Sequence, residues 1–184
     1  AMTYVAVQQG VEPEMWDASV LLGLSHRIGQ RVTDRSVLPL VDAQIVDEAL
    51  RDSAVTRHVS RVAQMALVRQ WVNAQVRYAA TTSDVVVDGR DIGTTVFPDA
   101  ALKIFLIADP WERARRRLVQ RLGRRPTDPE IAAETEALVA RDAQDATQSA
   151  PARDAITIDT TALTQEEQVD RIVALARATR QGRS

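Results

Sequence analysis

The stretch from Asp84 to Pro98, DVVVDGRDIGTTVFP, constrains the fold of this chain more than any other part of the sequence. Three consecutive valines predict a strand buried on both faces, because β-branched side chains pack well in a parallel sheet that is covered by helices. Asp88, Arg90 and Asp91 follow the valines at once. Because open α/β sheets bind ligands at the carboxyl ends of their strands, these charges predict a polar ligand site. The alternative is an ordinary charged surface turn.

Composition and charge are compatible with a globular protein that acts on a small molecule. The 184 residues carry a formal net charge of −2 and include no cysteine. This length allows one domain with a substantial core, and the near-neutral charge gives no indication of a nucleic-acid or membrane partner. The lack of cysteine excludes disulfides and thiolate metal sites and suits the cytosol. Neither a signal sequence nor an apolar run near the ~20 residues of a spanning helix occurs, so we expect a cytoplasmic protein.

Patterning of the first 80 residues predicts helices and one small hairpin. The predicted elements are a helix from Thr3 to Gln9, a helix from Asp17 to His26, a hairpin within 37–46, and one long helix from Val55 to Val76. Ser60 and Arg69 lie off the apolar stripe of the long helix. From the residues alone, both are best explained as part of a solvated face.

The second half of the chain predicts strands that alternate with helices. Apolar runs predict strands at Leu102–Ala108 and Ala155–Asp159, and capping residues predict helices after Asp109 and Thr164, with a further helix from Pro129 to Asp145. The first of these helices carries four crowded arginines: Arg113, Arg115, Arg116 and Arg117. Such charges repel one another unless an anion is present. The alternative is a solvated basic face.

One long run of residues resembles the bacterial cytidylate kinases. It reads DGRDIGTxVFPDA and continues through LKIFL at 102–106 to ERAxRR at 112–117, and weaker resemblance extends from Tyr4 to Ala178. The resemblance implies an α/β fold of the P-loop kinase type, a parallel sheet wrapped by helices. It further implies a single domain over 1–184, with an NMP-binding insert at 31–80 and a lid region at 110–145. The implied reaction is phosphoryl transfer from ATP to CMP or dCMP, with Mg²⁺ bridging the donor phosphates.

The resemblance also implies roles for individual residues. Ser60, Arg69 and Asp91 would contact the cytosine, Arg90 and Arg141 the acceptor phosphate, Asp145 the sugar, and Arg116 and Arg113 the donor side from the lid. Arg90, Arg141 and Arg116 are therefore the candidate catalytic residues, and no protein ligand to a metal is predicted. In this stretch the family has arginine–aspartate, then a second arginine–aspartate, then a later arginine. Arg141, Asp142 and Asp145 match that pattern, whereas Gln144 and Gln148 do not match its arginines. Because glutamine carries no charge, it cannot neutralise charge on the transferring phosphoryl group.

The glycine-rich loop that binds ATP in this family is missing from the sequence. No Gly-x-x-x-x-Gly-Lys-Ser/Thr occurs, and Lys103 is the only lysine. We therefore expect an N-terminally incomplete chain whose sheet lacks its first strand, and we expect these 184 residues to be inactive by themselves. A monomer is expected, although unpaired strand edges favour association. The alternative function is a non-catalytic nucleotide-binding remnant of a cytidylate kinase.

Overall fold

The computed structural model describes residues 1–145 and 150–182. They fall into two compact units, Ala1–Val86 and Val87–Ser184. Seven α-helices and a parallel pair of strands in the described residues give the mixed α/β architecture that the sequence predicts. The predicted single domain with its insert and lid is not tested by this division and stays a prediction.

The N-terminal unit combines helices with a three-stranded antiparallel sheet. Its elements are α1 (Met2–Gln8), α2 (Ala18–Gly23), β1 (Ile28–Val32), β2 (Val37–Val41), β3 (Gln44–Ile45), α3 (Ser53–Ala63) and α4 (Ala66–Ala79). The predicted hairpin is confirmed, with Leu40 opposite Ile45, and the Asp17 side chain caps α2 through the amide of Val20. Strand β1, which pairs Ile28 with Val41, was not predicted.

The prediction of one long helix from Val55 to Val76 is wrong, because the helix is interrupted between α3 and α4. Met65 has an extended backbone, with φ −75° and ψ 113°. In a continuous helix Val62 and Val68 would point about 120° apart around the axis. The break instead lets both pack into one core with Val5 and Leu21. Packing therefore overrides the continuous helical pattern.

The C-terminal unit contains one turn of π-helix, Ile92–Val96, followed by β4 (Ile104–Ile107), α5 (Pro110–Leu122), α6 (Asp128–Asp145), β5 (Ile156–Asp159) and α7 (Gln165–Gln181). Strands β4 and β5 are parallel and in register from Ile104 opposite Ile156. The predicted caps are confirmed: Asp109 accepts from the first amides of α5, and Thr164 forms a capping box with Glu167.

Two predictions about burial in this half are wrong. The valines at 85–87 form no strand among the described residues, and Val86 is 97% exposed. A buried strand needs a neighbour for its backbone groups, and in the described part of the chain β4 pairs with β5 alone. Likewise the apolar spacing after Thr164 predicts that Val169 and Val173 lie on the buried side of the last helix, but both are exposed on α7. A two-stranded sheet is too small to cover the apolar side of this helix.

Candidate functional site

The turn that follows the three valines is tightly folded and carries two predicted site residues. Gly89 has a φ of 157°, and a Cβ built on it would lie 2.7 Å from Cγ1 of Ile92, so only glycine fits there. The carbonyl of Asp91 accepts from the amide of Thr95 at 2.8 Å. These contacts set Arg90, which is exposed, and Asp91, which is half-buried, at the beginning of the π-turn.

The arginines of α5 are partnered by carboxylates rather than by a bound anion. Glu134 on α6 lies 3.1 Å from Arg117 and 3.0 Å from Arg121. Further pairs join Arg113 to Asp142, Arg115 to Glu112 and Arg124 to Glu130. The repulsion inferred from sequence is therefore relieved inside the α5–α6 hairpin, whose small apolar core is Ala114, Leu118 and Ile131.

Arg116, a candidate catalytic residue, is held by the chain's own carbonyls. Its Nη2 donates to the backbone oxygens of Thr160, Thr161 and Leu163 at 2.7, 3.1 and 3.2 Å, and its Nε donates to Glu112 at 2.8 Å. Hydrogen bonds from Arg115 and then Arg116 hold the pKa of the Glu112 carboxyl below its usual value. In this conformation the Arg116 guanidinium fastens α5 to the loop after β5, and its role in a lid stays a prediction.

Three of the predicted arginines act on one carboxylate, that of Asp142. Arg113 on α5 donates a hydrogen bond to it, and this bond is the largest cause of the lowered pKa of the Asp142 carboxyl. The charges of Arg90 and Arg141 lower the same pKa further. The three cations belong to the turn, α5 and α6, so the fold brings the electrostatic influence of three separate segments to one anionic group.

Arg113 also has an unsatisfied donor at this place. Its Nε is buried and has no hydrogen-bond partner among the described residues. A buried donor left without a partner costs about 1–3 kcal/mol. An arrangement of this kind can accept a further oxygen ligand such as a phosphate oxygen, because a guanidinium presents several donors in one plane.

Of the remaining predicted residues, Ser60 and Arg69 belong to the N-terminal unit, and the side chain of Asp145 lies outside the described part of the chain. Ser60 on α3 and Arg69 on α4 are exposed and belong to the N-terminal unit. That unit has an open apolar pocket of about 340 Å³, whose lining in the described part of the chain includes their neighbours Val59 and Val68 but neither residue itself. Asp145 ends α6, and its side chain lies outside the described part, as do the side chain of Gln144 and the whole of Gln148.

Asp142 was missed as a functional residue by the sequence reasoning, although it belongs to the matched arginine–aspartate pattern. Its significance depends on Arg113, which is 29 positions away. Lys103, the only lysine in the sequence, is likewise not among the predicted site residues.

The described residues contain neither a group of side chains that could hold a metal ion nor a helix that could span a membrane. Within 1–145 and 150–182, no three His, Asp or Glu side chains are grouped closely enough to hold a metal ion. Among the described residues there is therefore no group of side chains that could hold Mg²⁺ by itself. No helix in the same ranges has both the length and the apolar character to cross a membrane.

Comparison with known proteins identifies the family. The family model described as "Cytidylate kinase" matches residues 1–178. The cytidylate kinase of Geobacillus thermodenitrificans (strain NG80-2) is 41% identical over 182 residues, which cover 95% of this chain and 80% of that protein. The cytidylate kinase of Geobacillus sp. (strain WCH70) is 40% identical over 180 residues, with the same two coverages.

A longer relative contains the same region as one part. The bifunctional pantoate ligase/cytidylate kinase of Gloeobacter violaceus is 37% identical over 186 residues, which cover 96% of this chain and 36% of that protein. The mixed α/β fold and matches over nearly the whole chain define a member of a kinase family. The chain belongs to the cytidylate kinase family, as its DGRDIGT run indicated.

Proposed function

We propose that this protein transfers a phosphoryl group from ATP to CMP or dCMP and so forms CDP or dCDP in pyrimidine nucleotide metabolism. The observation that carries the proposal is the match to the cytidylate kinase family over residues 1–178, which supplies the class of nucleotide. The hydrogen bond of Arg113 to Asp142, and the charges of Arg90 and Arg141 that act on the same carboxylate, support the binding of an anionic ligand.

Arg90 and Arg141 bind the acceptor phosphate in this proposal. A guanidinium matches phosphate oxygens through parallel hydrogen bonds, whereas an ammonium is a point charge. Phosphoryl transfer requires little covalent chemistry from the protein, so positioning and charge neutralisation supply most of the rate. The influence of both arginines on one carboxylate supports their acting on one phosphate.

Cytosine selection is assigned to Ser60, Arg69 and Asp91, and the sugar hydroxyl to Asp145. Cytosine has an exocyclic amine where uracil has a carbonyl. A carboxylate can accept a hydrogen bond from the amine, and it is left unpaired when uracil is bound. The half-buried position of Asp91 supports such discrimination, because an unpaired polar group costs more where water is scarce.

Arg113 and Arg116 are the proposed lid arginines on the donor side, and their contacts distinguish them. Arg113 has the buried Nε without a partner among the described residues. Arg116 already donates to three backbone carbonyls. We therefore assign the closer contact with the transferring phosphate to Arg113. Arg116 would hold the base of α5 and would reach a phosphate only after giving up these bonds.

Donor binding is assigned to a glycine-rich loop that does not occur among these 184 residues. The loop's amides would cradle the phosphates of ATP. By themselves, the 184 residues should therefore bind CMP but not phosphorylate it at a kinase rate. The second candidate function, a nucleotide-binding protein without catalysis, is favoured by uncharged Gln148, which stands where the family pattern has arginine.

The test compares the 184-residue chain with the longest form that its gene encodes. Calorimetry with CMP, dCMP, UMP and cytidine measures binding, and a coupled assay with ATP and CMP measures turnover. CMP should bind both forms better than UMP and cytidine do, and the longest form should turn over at about 1–100 s⁻¹. If neither CMP nor dCMP binds, the kinase proposal is wrong. If both forms bind CMP and neither turns over, the second candidate function is correct.

A further inference from the structure

The side chain of Lys103 is nearly buried at the start of the parallel sheet. It is 8% exposed, and its Nζ donates to both carboxylate oxygens of Asp154, at 2.9 and 2.8 Å, and to the carbonyl of Pro98. An ammonium has three donors, so these three acceptors saturate it. The hydrogen bond from Lys103 holds the pKa of the Asp154 carboxyl below its usual value.

The aliphatic part of Lys103 packs against the turn that carries Arg90 and Asp91. A Cβ built on Gly93 would lie 3.3 Å from Cδ of Lys103 and 3.6 Å from Cβ of Ala152. The backbone of the turn thus approaches the lysine stem more closely than most side chains would allow. Lys103 therefore contacts the turn at two points, Gly93 near its middle and Pro98 at its end.

The backbone of Lys103 ties the same residue to the sheet. Its carbonyl accepts from the amide of Ile156 at 2.9 Å, directly beside the register pair of Ile104 and Ile156. Asp154, which holds the ammonium, lies two residues before that amide. One residue thus links the turn, the start of β4 and the approach to β5, so the turn cannot shift relative to the sheet without breaking these bonds.

Burying an ammonium is costly unless its partners satisfy it fully. A direct contact of Lys103 with a nucleotide phosphate is excluded in this conformation, because its three donors are used and its side chain is buried. The remaining function for so well-satisfied a cation is to fix the position of what it holds.

We propose that Lys103 is a positioning residue for the acceptor nucleotide. It holds the turn at Gly93 and Pro98 and thereby sets where Arg90 and Asp91 present their side chains to CMP. The inference rests on the proposed function, since Arg90 and Asp91 contact the nucleotide only there. Small misplacements of binding groups cost large factors in binding and rate. Loss of the contacts between Lys103 and the turn should therefore reduce nucleotide affinity more than it reduces the stability of the fold.

Two substitutions disturb the contacts between Lys103 and the turn in different ways, and a third substitution serves as a control. Lys103→Met keeps a long stem and removes the ammonium. Gly93→Ala keeps the ammonium and pushes on the stem, so it serves if Lys103→Met does not fold. Thr164→Ala is the control, because it removes the cap of α7, in the same unit but away from the turn.

The first measurement is CMP affinity by calorimetry, together with the unfolding free energy of each variant. Lys103→Met and Gly93→Ala should each weaken CMP binding about tenfold or more and reduce the preference for CMP over UMP. Thr164→Ala should leave CMP affinity and this preference unchanged. Unchanged affinity and preference in the two turn variants would overturn the proposal. So would an equal loss of CMP affinity in Thr164→Ala, which would mean that Lys103 only stabilises the fold.

The second measurement needs no nucleotide, so it separates failure of this inference from failure of the proposed function. Amide hydrogen exchange reports on the bonds from Thr95 to Asp91 and from Phe97 to Ile92, at 2.8 and 2.7 Å. Both amides should exchange at least about tenfold faster in Lys103→Met, while the amides of α7 keep their rates. Unchanged exchange at Thr95 and Phe97 would show that Lys103 does not hold the turn, whether or not CMP binds.

Discussion

Arg113 on α5 donates a hydrogen bond to Asp142 on α6, and Arg90 and Arg141 act through their charges on the same carboxylate. A negative group of the protein thus lies under the influence of three of the cations that we assign to phosphates. Asp142 offsets the mutual repulsion of these cations, and we expect it to compete with a nucleotide phosphate for them.

Replacing Asp142 by asparagine should therefore change stability and binding in opposite directions. The pair with Arg113 is partly exposed, so the free energy of unfolding should fall by no more than about 1 kcal/mol. CMP affinity should rise severalfold, because the same arginines then attract the phosphate without an internal competitor. Denaturant unfolding and calorimetry measure the two effects.

The control for this prediction is Glu134→Gln. Glu134 also lies on α6 and pairs with arginines of α5, namely Arg117 and Arg121, which we do not assign to the nucleotide. It should lower stability and leave CMP affinity unchanged. Weaker CMP binding in Asp142→Asn would mean that Asp142 orients the arginines rather than competing for them.

Arg90→Lys and Arg141→Lys should each weaken CMP binding, and their effects should not add. Both residues are assigned to one phosphate, and residues that share a ligand show coupling of about 0.5–3 kcal/mol in a double-mutant cycle. Lysine keeps the charge but loses the planar pair of donors. The cycle is measured by calorimetry with CMP, and cytidine, which lacks the phosphate, should respond to neither change. Additive losses would indicate two separate anion sites.

Arg69→Ala should reduce CMP affinity and the preference for CMP over UMP, since we assign this residue to the cytosine ring. A loss of about tenfold corresponds to one good hydrogen bond to a charged group. Arg77→Ala, also on an exposed position of α4, is the control and should change neither quantity. If CMP and UMP lose affinity equally, Arg69 does not select the base.

Stability of the α5–α6 hairpin should fall in acid because of Glu130. Arg124 first, and then the amide and hydroxyl of Thr127, lower the pKa of this carboxyl from the usual 4.5 to about 2. A carboxyl with a lowered folded-state pKa stabilises the fold fully above pH 4.5, and this contribution is lost as the pH falls from 4.5 towards 2. Urea unfolding between pH 7 and pH 3 measures the loss.

The matched variants are Glu130→Gln and Glu14→Gln, the second of which lies in the N-terminal unit. Glu130→Gln should flatten the dependence of the unfolding free energy on pH below 4.5. The Glu14→Gln variant shows how much of any change follows from removing a carboxylate in the other unit. Identical acid profiles for the unmodified chain and Glu130→Gln would show that these contacts do not stabilise the fold in solution.

Features of the fold set by neighbouring residues could be predicted from the sequence, and features set by distant partners could not. The caps at Asp109 and Thr164 were found because a side chain bonds amides two or three positions onward. No glycine or proline marks the interruption between α3 and α4 at Met65, because packing of both helices into the core determines its position. Strand β1 depends on pairing with β2 rather than on its own pattern.

The candidate site divides in the same way. The sequence predicted Arg90 through the charged turn after the valines and Arg113 through the crowded arginines of α5, but it predicted Arg141 only through the family resemblance. It could not identify Asp142 as their common partner, because that relationship exists only when α5 and α6 pack together. The valines at 85–87 illustrate the converse, since a strand pattern forms no strand unless another strand lies beside it.

The three bonds from Arg116 to the carbonyls of Thr160, Thr161 and Leu163 have a mechanical consequence for the α5–α6 hairpin. They make the first two turns of α5 an anchored base, because the two protons of Nη2 are shared among three carbonyl oxygens of the segment after β5. A hairpin that swings over a nucleotide must either break this anchor or bend beyond Arg116. The moving part would then begin at Arg117 and include the ion pairs of Glu134, whereas Arg113 would stay with the anchored base.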